Sequence, residues 1–308
     1  MKNLIEKIRK LKEEKNAIVL AHSYQNIEID EVADFVGDSL YLSQKAKETN
    51  ADIIVFAGVY FMAQTAKIIS PEKKVLLPNI NAGCLMADMI NHQQMVEFKK
   101  KNPDAPVVCY INSTAEVKSE CDICCTSSNA LKIVKSLNAP KVLFLPDANL
   151  GKWVESKLSK VEVITYAGNC PVHHDIEVKD IELARKKHPD AKILIHPECK
   201  PEVSRLGDYV GSTSGIMEYV RKSKDKQFVI VTEKGVADRL ERDYPDKKFI
   251  LIKNNMLCES MKLTTLDEIL YSLQHEVNEI TLDENIRKRS ANLSLIHISE
   301  PTRPISIS

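Results

Sequence analysis

The amino-acid sequence predicts an α/β protein of three pseudo-symmetric αβα domains, each with a small parallel sheet. Two observations carry this prediction. The first is a repeat: KKNPDAPVV from Lys100 returns as KKHPDAKIL from Lys186, an offset of 186 − 100 = 86, and self-similarity at a fixed period marks a repeat architecture. The second is alternation within each copy between short β-branched runs and amphipathic helical patterns. Such βαβαβ units favour parallel strands covered by helices on both faces, because each crossover must pack back onto the sheet. One continuous doubly wound sheet is the competing arrangement, and it leaves the constant offsets unexplained.

The elements follow in order. The opening MKNLIEKIRKLKEEKN places apolar residues at helical spacing among charges and reads as an amphipathic helix. First strands are IVLAHSYQ, VVCYINST and ILIHPECK, which put His22, Tyr110 and His196 in register (110 − 22 = 88; 196 − 110 = 86). Each leads to a Ser/Thr turn that opens a helix: GDSLYLSQKA, TSSNALKIVKSL and GSTSGIMEYV. Here Ser39, Ser127 and Ser212 correspond (127 − 39 = 88; 212 − 127 = 85). In the second copy Ala130, Leu131, Val134 and Leu137 form an apolar stripe. Second strands are DIIVFAGV, KVLFLPDA and FVIVTEKG, with helices around MAQTAKII, GKWVESKL and VADRLERD. Third strands within KVLLPNINAGC, VEVITYAGNC and KFILIKNNMLC close the units. The domains are therefore expected at 1–103, 104–189 and 190–292.

Charge excludes some partners. Lys and Arg total 43 against 43 Asp and Glu, a formal charge of zero, with no basic block, so neither nucleic acid nor an anionic membrane is expected as partner. The apolar run around Ile53 to Ala63 is too short to span a bilayer. The N-terminus lacks the apolar core of a signal peptide, and a cytoplasmic protein is expected. In that reducing setting the eight cysteines are candidate metal ligands or inert core residues rather than disulfides.

Cys84, Cys170 and Cys258 each follow the third strand of their repeat (170 − 84 = 86; 258 − 170 = 88). Open α/β sheets place functional groups at the carboxyl ends of their strands, so three such units aim three equivalent thiols at one centre. Three thiolates suit zinc or an iron–sulfur cluster. A cubane fits the threefold symmetry better, with three cysteine-bound irons and a fourth left open as a Lewis acid. The competing group is Cys121, Cys124 and Cys125, a C-x-x-C-C run with no counterpart in the other repeats. It reads as a secondary or redox-sensitive site at most. Cys109 reads as a buried spectator, and Cys199 as a residue turned away from the cavity.

The first-strand ends add His22, Ser23 and Tyr24; Tyr110 and Asn112; and His196 and Glu198. Strand alternation sets 22 with 24, 110 with 112, and 196 with 198 on one face. Ser39, Ser127, Ser212 and Thr213 read both as helix caps and as hydroxyls at positive helix ends suited to phosphate or carboxylate. GSTSG from Gly211 is not a nucleophile elbow, since Thr213 takes the nucleophile slot. No P-loop or dinucleotide glycine fingerprint follows a first strand.

Together AHSYQ, GDSL, CYINSTAEVK, CDICCTSSNA, PDANLG, GNCPVHH, HPEC, GSTSGI and NNMLCESMK resemble the quinolinate synthases, from about Ile18 to Leu266. The resemblance implies three homologous αβα domains around a central 4Fe–4S iron–sulfur cluster held by Cys84, Cys170 and Cys258, with one open iron. It implies condensation of iminoaspartate with dihydroxyacetone phosphate to quinolinate, losing phosphate and two waters, in NAD biosynthesis. L-aspartate oxidase or aspartate dehydrogenase is then the supplier of iminoaspartate. It carries over His22, Tyr24, Ser39, Tyr110, Asn112, Ser127, His173, His196, Glu198, Ser212 and Thr213 as substrate-site residues. Of these, Glu198 and Tyr24 suit general acid/base roles with His22 or His173 in support, and Ser127, Ser212, Thr213 and His196 suit anion binding. The alternatives are another cluster-dependent hydro-lyase, or an iron–sulfur redox sensor using the C-x-x-C-C run. After Asn292 the chain reads LSLIHISEPTRPISIS, where the family continues with an Arg-Met-containing segment. This stretch, 293–308, resembles a translated sequencing adapter and is expected to pack poorly.

Overall fold

The structure is a computed structural model. It describes the backbone of residues 1–299 and the side chains of residues 1–293. Three four-stranded sheets are present. The first holds β1 (Ala17–His22), β2 (Phe35–Gly37), β3 (Ile53–Ala57) and β4 (Lys74–Leu76). The second holds β5 (Val107–Tyr110), β6 (Ile123–Cys125), β7 (Lys141–Leu145) and β8 (Glu162–Thr165). The third holds β9 (Lys192–Ile195), β10 (Tyr209–Val210), β11 (Gln227–Val231) and β12 (Lys248–Leu251). The spatial orders β2-β1-β3-β4, β6-β5-β7-β8 and β10-β9-β11-β12 are one topology used three times. Pairing is parallel, with matched registers such as Ala17 to Ile53, Val107 to Leu143 and Lys192 to Phe228.

Each sheet thus has a strand more than the sequence pattern predicts. The extra strand is FVG, ICC or YV. Two or three residues cannot display a period-2 pattern, and pairing with the neighbouring first strand is what makes them strands. The chain reverses direction across the sheet between the first and second long strands. That is the switch point where α/β sheets bind ligands, outside the carboxyl ends.

By internal contacts the chain forms two compact units. One comprises Met1–Glu97, Ile111–Cys124 and the described residues from Glu259 on; the other comprises Phe98–Tyr110 and Cys125–Cys258. In the first unit Val19, Ala21, Val55 and Ala57 project from one sheet face and pack against Ile8 of the helix Lys2–Glu14 and Ile269 and Leu273 of the helix Leu266–His275. In the second, Ile193, Ile195, Val229 and Val231 pack on Ile181, Ala184, Cys199 and Val203. Alternate residues point to opposite faces, and both faces of these strands are apolar because helices cover both.

Two local expectations are corrected. Ser39 is not a cap: the Asp38 side chain accepts from the Tyr41 amide at 3.0 Å, so Ser39 is the first helical residue of Ser39–Glu48. Ser127 is not one either, because its helix starts at Ala130 behind Asn129. Only Ser212 caps as expected, accepting from the Gly215 amide at 3.2 Å. In the second repeat the buried helix face uses Ile133 with Ala130 and Val134, and Leu131 is only half-buried.

The helix Glu284–Ser299 carries the first residues of the predicted tail, and Ser290 donates to the Ala115 carbonyl at 2.9 Å. The expectation that 293–308 packs poorly falls outside the described residues. Among the described residues no helix is long and apolar enough to cross a membrane.

Candidate active site

One hydrogen bond recurs in all three repeats and places the three predicted cysteines. The first N–H of the second helix, just past the end of the second long strand, donates to the loop after the neighbouring third strand. These bonds are Tyr60 to the Ala82 carbonyl (2.7 Å), Ala148 to Gly168 (2.8 Å) and Lys234 to Met256 (2.7 Å). Each acceptor lies two residues before a cysteine: Cys84, Cys170 and Cys258. A helix N-terminus has orphan N–H groups to satisfy, and here they fix the backbone leading to each thiol. At Gly168 the approach is so close that an added Cβ would lie 2.5 Å from the Pro146 carbonyl oxygen.

The residue before that N–H is Val59, Asp147 or Glu233. Asp147 accepts from the Leu150 amide at 2.8 Å and from the backbone N–H of Cys170. Glu233 accepts from Gly235 at 2.6 Å and from the backbone N–H of Cys258 at 3.3 Å. In two repeats, then, a buried carboxylate at a helix N-terminus also holds the cysteine backbone, and Val59 has no such group to offer Cys84. The sequence reading missed both acids; their signal was repeat register (233 − 147 = 86).

Burial separates the cysteines. Cys84, Cys170 and Cys258 are half-buried, whereas Cys109, Cys121, Cys124, Cys125 and Cys199 are buried. Cys124 and Cys125 lie on the short strand β6, and the Cys121 thiol donates to the Val117 carbonyl at 3.2 Å. Cys199 packs in the core, where burial first, and then the charges of Glu198 and Asp147, push its thiol far up and leave it inert.

A polar cluster forms around Cys170. That residue caps the short helix Pro171–His174, so a Cys-x-x-His spacing brings His173 onto the same side as the thiol. His173 Nδ1 lies 3.2 Å from Cys170 Sγ and 2.9 Å from Glu198 Oε2, and its Nε2 lies 2.9 Å from Thr232 Oγ1. The Tyr110 hydroxyl donates to Glu198 Oε1 at 2.6 Å. His196 Nδ1 is 3.8 Å from Glu198 Oε2, and its ring tilts against His173 with centroids 4.7 Å apart. Asn149 donates to the Glu198 carbonyl at 2.8 Å. Thr232 and Asn149 were also missed; both follow second strands, and Val231 pairs with Ile195, which sets Thr232 beside His196.

Burial alone would push Glu198 up, but the charge of His196, the hydrogen bond and charge of His173, and the Tyr110 hydrogen bond outweigh it and hold it at about 2. Burial, then the Glu198 charge and hydrogen bond, drive Tyr110 well above its ordinary value, with a hydrogen bond from Ser127 opposing. Burial and the Glu198 charge likewise raise Asp147, against backbone N–H groups of Leu150, Cys170 and Asn149. Of these two buried groups, Glu198 is shifted toward its charged form and Asp147 toward its protonated one. The cluster is an ionised base next to a protonated phenol donor.

The hydroxyls divide differently from the expectation. Ser127 serves Tyr110, while its neighbour Ser128 donates to Ser212 Oγ at 2.9 Å and contacts Ser214 at 3.4 Å. With Thr213 these groups surround the N-terminus of the helix Thr213–Lys222.

The remaining predicted residues belong to the other unit. His22 ends β1, its Nδ1 accepts from the Tyr24 amide at 3.1 Å, and the two rings meet edge to face at 4.5 Å. The buried Oδ1 of Asn112 has no hydrogen-bond partner among the described residues. Ser39 opens its helix, and Cys84 lines a cavity of about 250 Å³ with Tyr60, Phe61, Asp88 and Thr114. Burial raises Asp88 from its ordinary value.

A family model described as Quinolinate synthetase A protein matches residues 6–297. The chain is 50% identical to a quinolinate synthase of Alkaliphilus metalliredigens over 94% of this chain and 95% of that one. It is 47% identical to a quinolinate synthase of Caldicellulosiruptor saccharolyticus (96% and 99% covered) and 48% identical to that of Aquifex aeolicus (94% and 92% covered).

Proposed function

Since the chain belongs to the quinolinate synthetase A family, we propose that it is a quinolinate synthase of NAD biosynthesis, condensing iminoaspartate with dihydroxyacetone phosphate and releasing phosphate and two waters. The observation that carries this reading is the similarity to whole quinolinate synthases across nearly the full chain. A cytoplasmic enzyme supplied with iminoaspartate by L-aspartate oxidase or aspartate dehydrogenase follows from the same reading, as do three repeat domains bounded near 103 and 189.

The cofactor in this reading is a 4Fe–4S cluster on Cys84, Cys170 and Cys258. The donor set fits: three thiols at one repeat position, half-exposed where the other five are buried, each with its preceding backbone held by an equivalent bond. When bound, the cluster supplies a Lewis acid at an iron without a cysteine. The chain supplies the rest. Glu198, ionised and fixed by Tyr110 and His173, takes up a proton next to a carbonyl. Tyr110 and Tyr24 hold phenolic protons that can be donated to departing oxygen. His22 and His173 orient these groups. The hydroxyls of Ser39, Ser127, Ser212 and Thr213, with Asn112 and His196, bind phosphate and carboxylates, the helix N-termini adding positive potential.

A redox sensor on Cys121, Cys124 and Cys125 is the weaker reading, because these thiols are buried. The deciding experiment is anaerobic purification followed by quinolinate assay with both substrates. Product from the cluster-loaded chain supports the proposal. An intact cluster without product would instead favour another hydro-lyase or the sensor.

A further inference from the structure

Cys170, His173 and Glu198 bring one sulfur, one imidazole nitrogen and one carboxylate oxygen within 4.8 Å of one another. We propose that these three residues form a mononuclear site for a divalent ion of the zinc type, whose occupation competes with cluster assembly at Cys170. The binding half stands on this geometry alone. The competition half rests on the cluster reading above.

The donor types are those zinc takes, and three protein ligands with an open fourth position is the pattern of non-structural zinc sites. Tetrahedral zinc with bonds of about 2.0–2.3 Å sets ligand atoms about 3.3–3.6 Å apart. His173 Nδ1 already lies 3.2 Å from Cys170 Sγ and 2.9 Å from Glu198 Oε2. These two separations need to open by only a few tenths of an ångström, and the Cys170 and Glu198 ligand atoms lie within 4.8 Å of each other. Charge also balances, since a thiolate and a carboxylate neutralise a dication in a buried place where a net charge is costly.

The surroundings distinguish this site from a chance cluster. Metal-binding histidines donate their second ring N–H to an acceptor that fixes the tautomer. Here His173 Nε2 faces Thr232 Oγ1 at 2.9 Å, which leaves Nδ1 as the ligand atom. The carboxylate is held too, because Glu198 Oε1 accepts from Tyr110 at 2.6 Å and leaves Oε2 for the ion. Cys170 is the half-exposed member, through which the ion enters. Among the described residues no other three His, Cys, Asp or Glu groups converge in this way. A metal on this trio removes Cys170 from the set of three equivalent cysteines, so a cluster and a mononuclear ion cannot share it.

The test uses the full chain freed of cluster, with cobalt(II) as the probe, thiolate-to-cobalt charge transfer as the readout and metal content by elemental analysis. One equivalent of cobalt is expected. The signal should vanish in Cys170→Ser and His173→Ala and persist in Cys84→Ser and Cys258→Ser. Thr232→Val should weaken binding by about 10–100-fold through loss of the histidine's partner, and it keeps the test sharp if His173→Ala fails to fold. No cobalt–thiolate signal, a signal surviving Cys170→Ser, or one requiring Cys84 or Cys258 overturns the site. Zinc-loaded protein should then reconstitute less cluster than zinc-free protein, with recovery on chelation. Equal reconstitution overturns the competition. Cobalt binding is read without substrate, so it stands or falls separately from quinolinate formation.

Discussion

Removing the phenol of Tyr110 probes the electrostatic arrangement most directly. Its hydroxyl lies 2.6 Å from Glu198 Oε1, and both residues are in the same compact unit. A hydrogen bond to a charged group contributes about 1.5–3 kcal/mol. The four proteins wild type, Tyr110→Phe, Glu198→Gln and the double variant form a cycle whose coupling energy isolates that bond. Urea denaturation at pH 7 should give a coupling of about 1.5–3 kcal/mol. The pH dependence has a definite sign. Glu198 is held at about 2 against an ordinary 4.5, so its stabilisation is present above pH 4.5 and fades as pH falls toward 2. For a fully buried group this is on the order of 3 kcal/mol. Wild type should therefore lose stability on acidification, while Glu198→Gln should lose much less. Asp147 is raised by burial and by Glu198, so its contribution runs the opposite way and is larger in wild type than in the variant, which narrows the contrast without reversing its sign. A coupling below about 0.5 kcal/mol, or equal acid sensitivity in both proteins, would refute the reasoning.

Three further outcomes follow from the geometry. Under anaerobic conditions Cys84→Ala, Cys170→Ala and Cys258→Ala should each lose cluster absorbance and iron, while Cys124→Ala keeps both; the reverse pattern for Cys124 and Cys170 would sink the ligand assignment. In the cluster-free chain, alkylation followed by mass spectrometry should label Cys84, Cys170 and Cys258 well before the five buried thiols, with Cys199 among the slowest because its thiol is raised. Asp38→Ala should lower stability by about 1 kcal/mol by removing a helix cap, whereas Ser39→Ala should stay within about 0.5 kcal/mol; equal effects would return the cap to Ser39.

Much of this molecule was legible in the sequence because repeats and strand periodicity are local. The KKNPDAPVV and KKHPDAKIL copies, together with the aligned strand starts, determined three parallel α/β units. The 86- and 88-residue spacings determined that Cys84, Cys170 and Cys258 occupy one position. Tyr110, His196 and Glu198 were visible as strand ends. Tertiary structure alone decided the edge strands FVG, ICC and YV, which are too short to show a period. It also decided that Asp38 rather than Ser39 caps a helix, since the two neighbours differ only in which backbone N–H their oxygen reaches. Thr232 became a site residue because its second strand ends beside a first one, and Asp147 and Glu233 because theirs end beside the third strands that lead to Cys170 and Cys258. The bonds that define the cluster join residues 59 and 88 positions apart, His173 to Thr232 and Tyr110 to Glu198. Neither pairing leaves a local pattern in the chain, and only the packing of strand ends brings the partners together. The cysteine positions were thus written in the repeat, while the opposite shifts of Glu198 and Asp147 were set by what surrounds them once the sheets had formed.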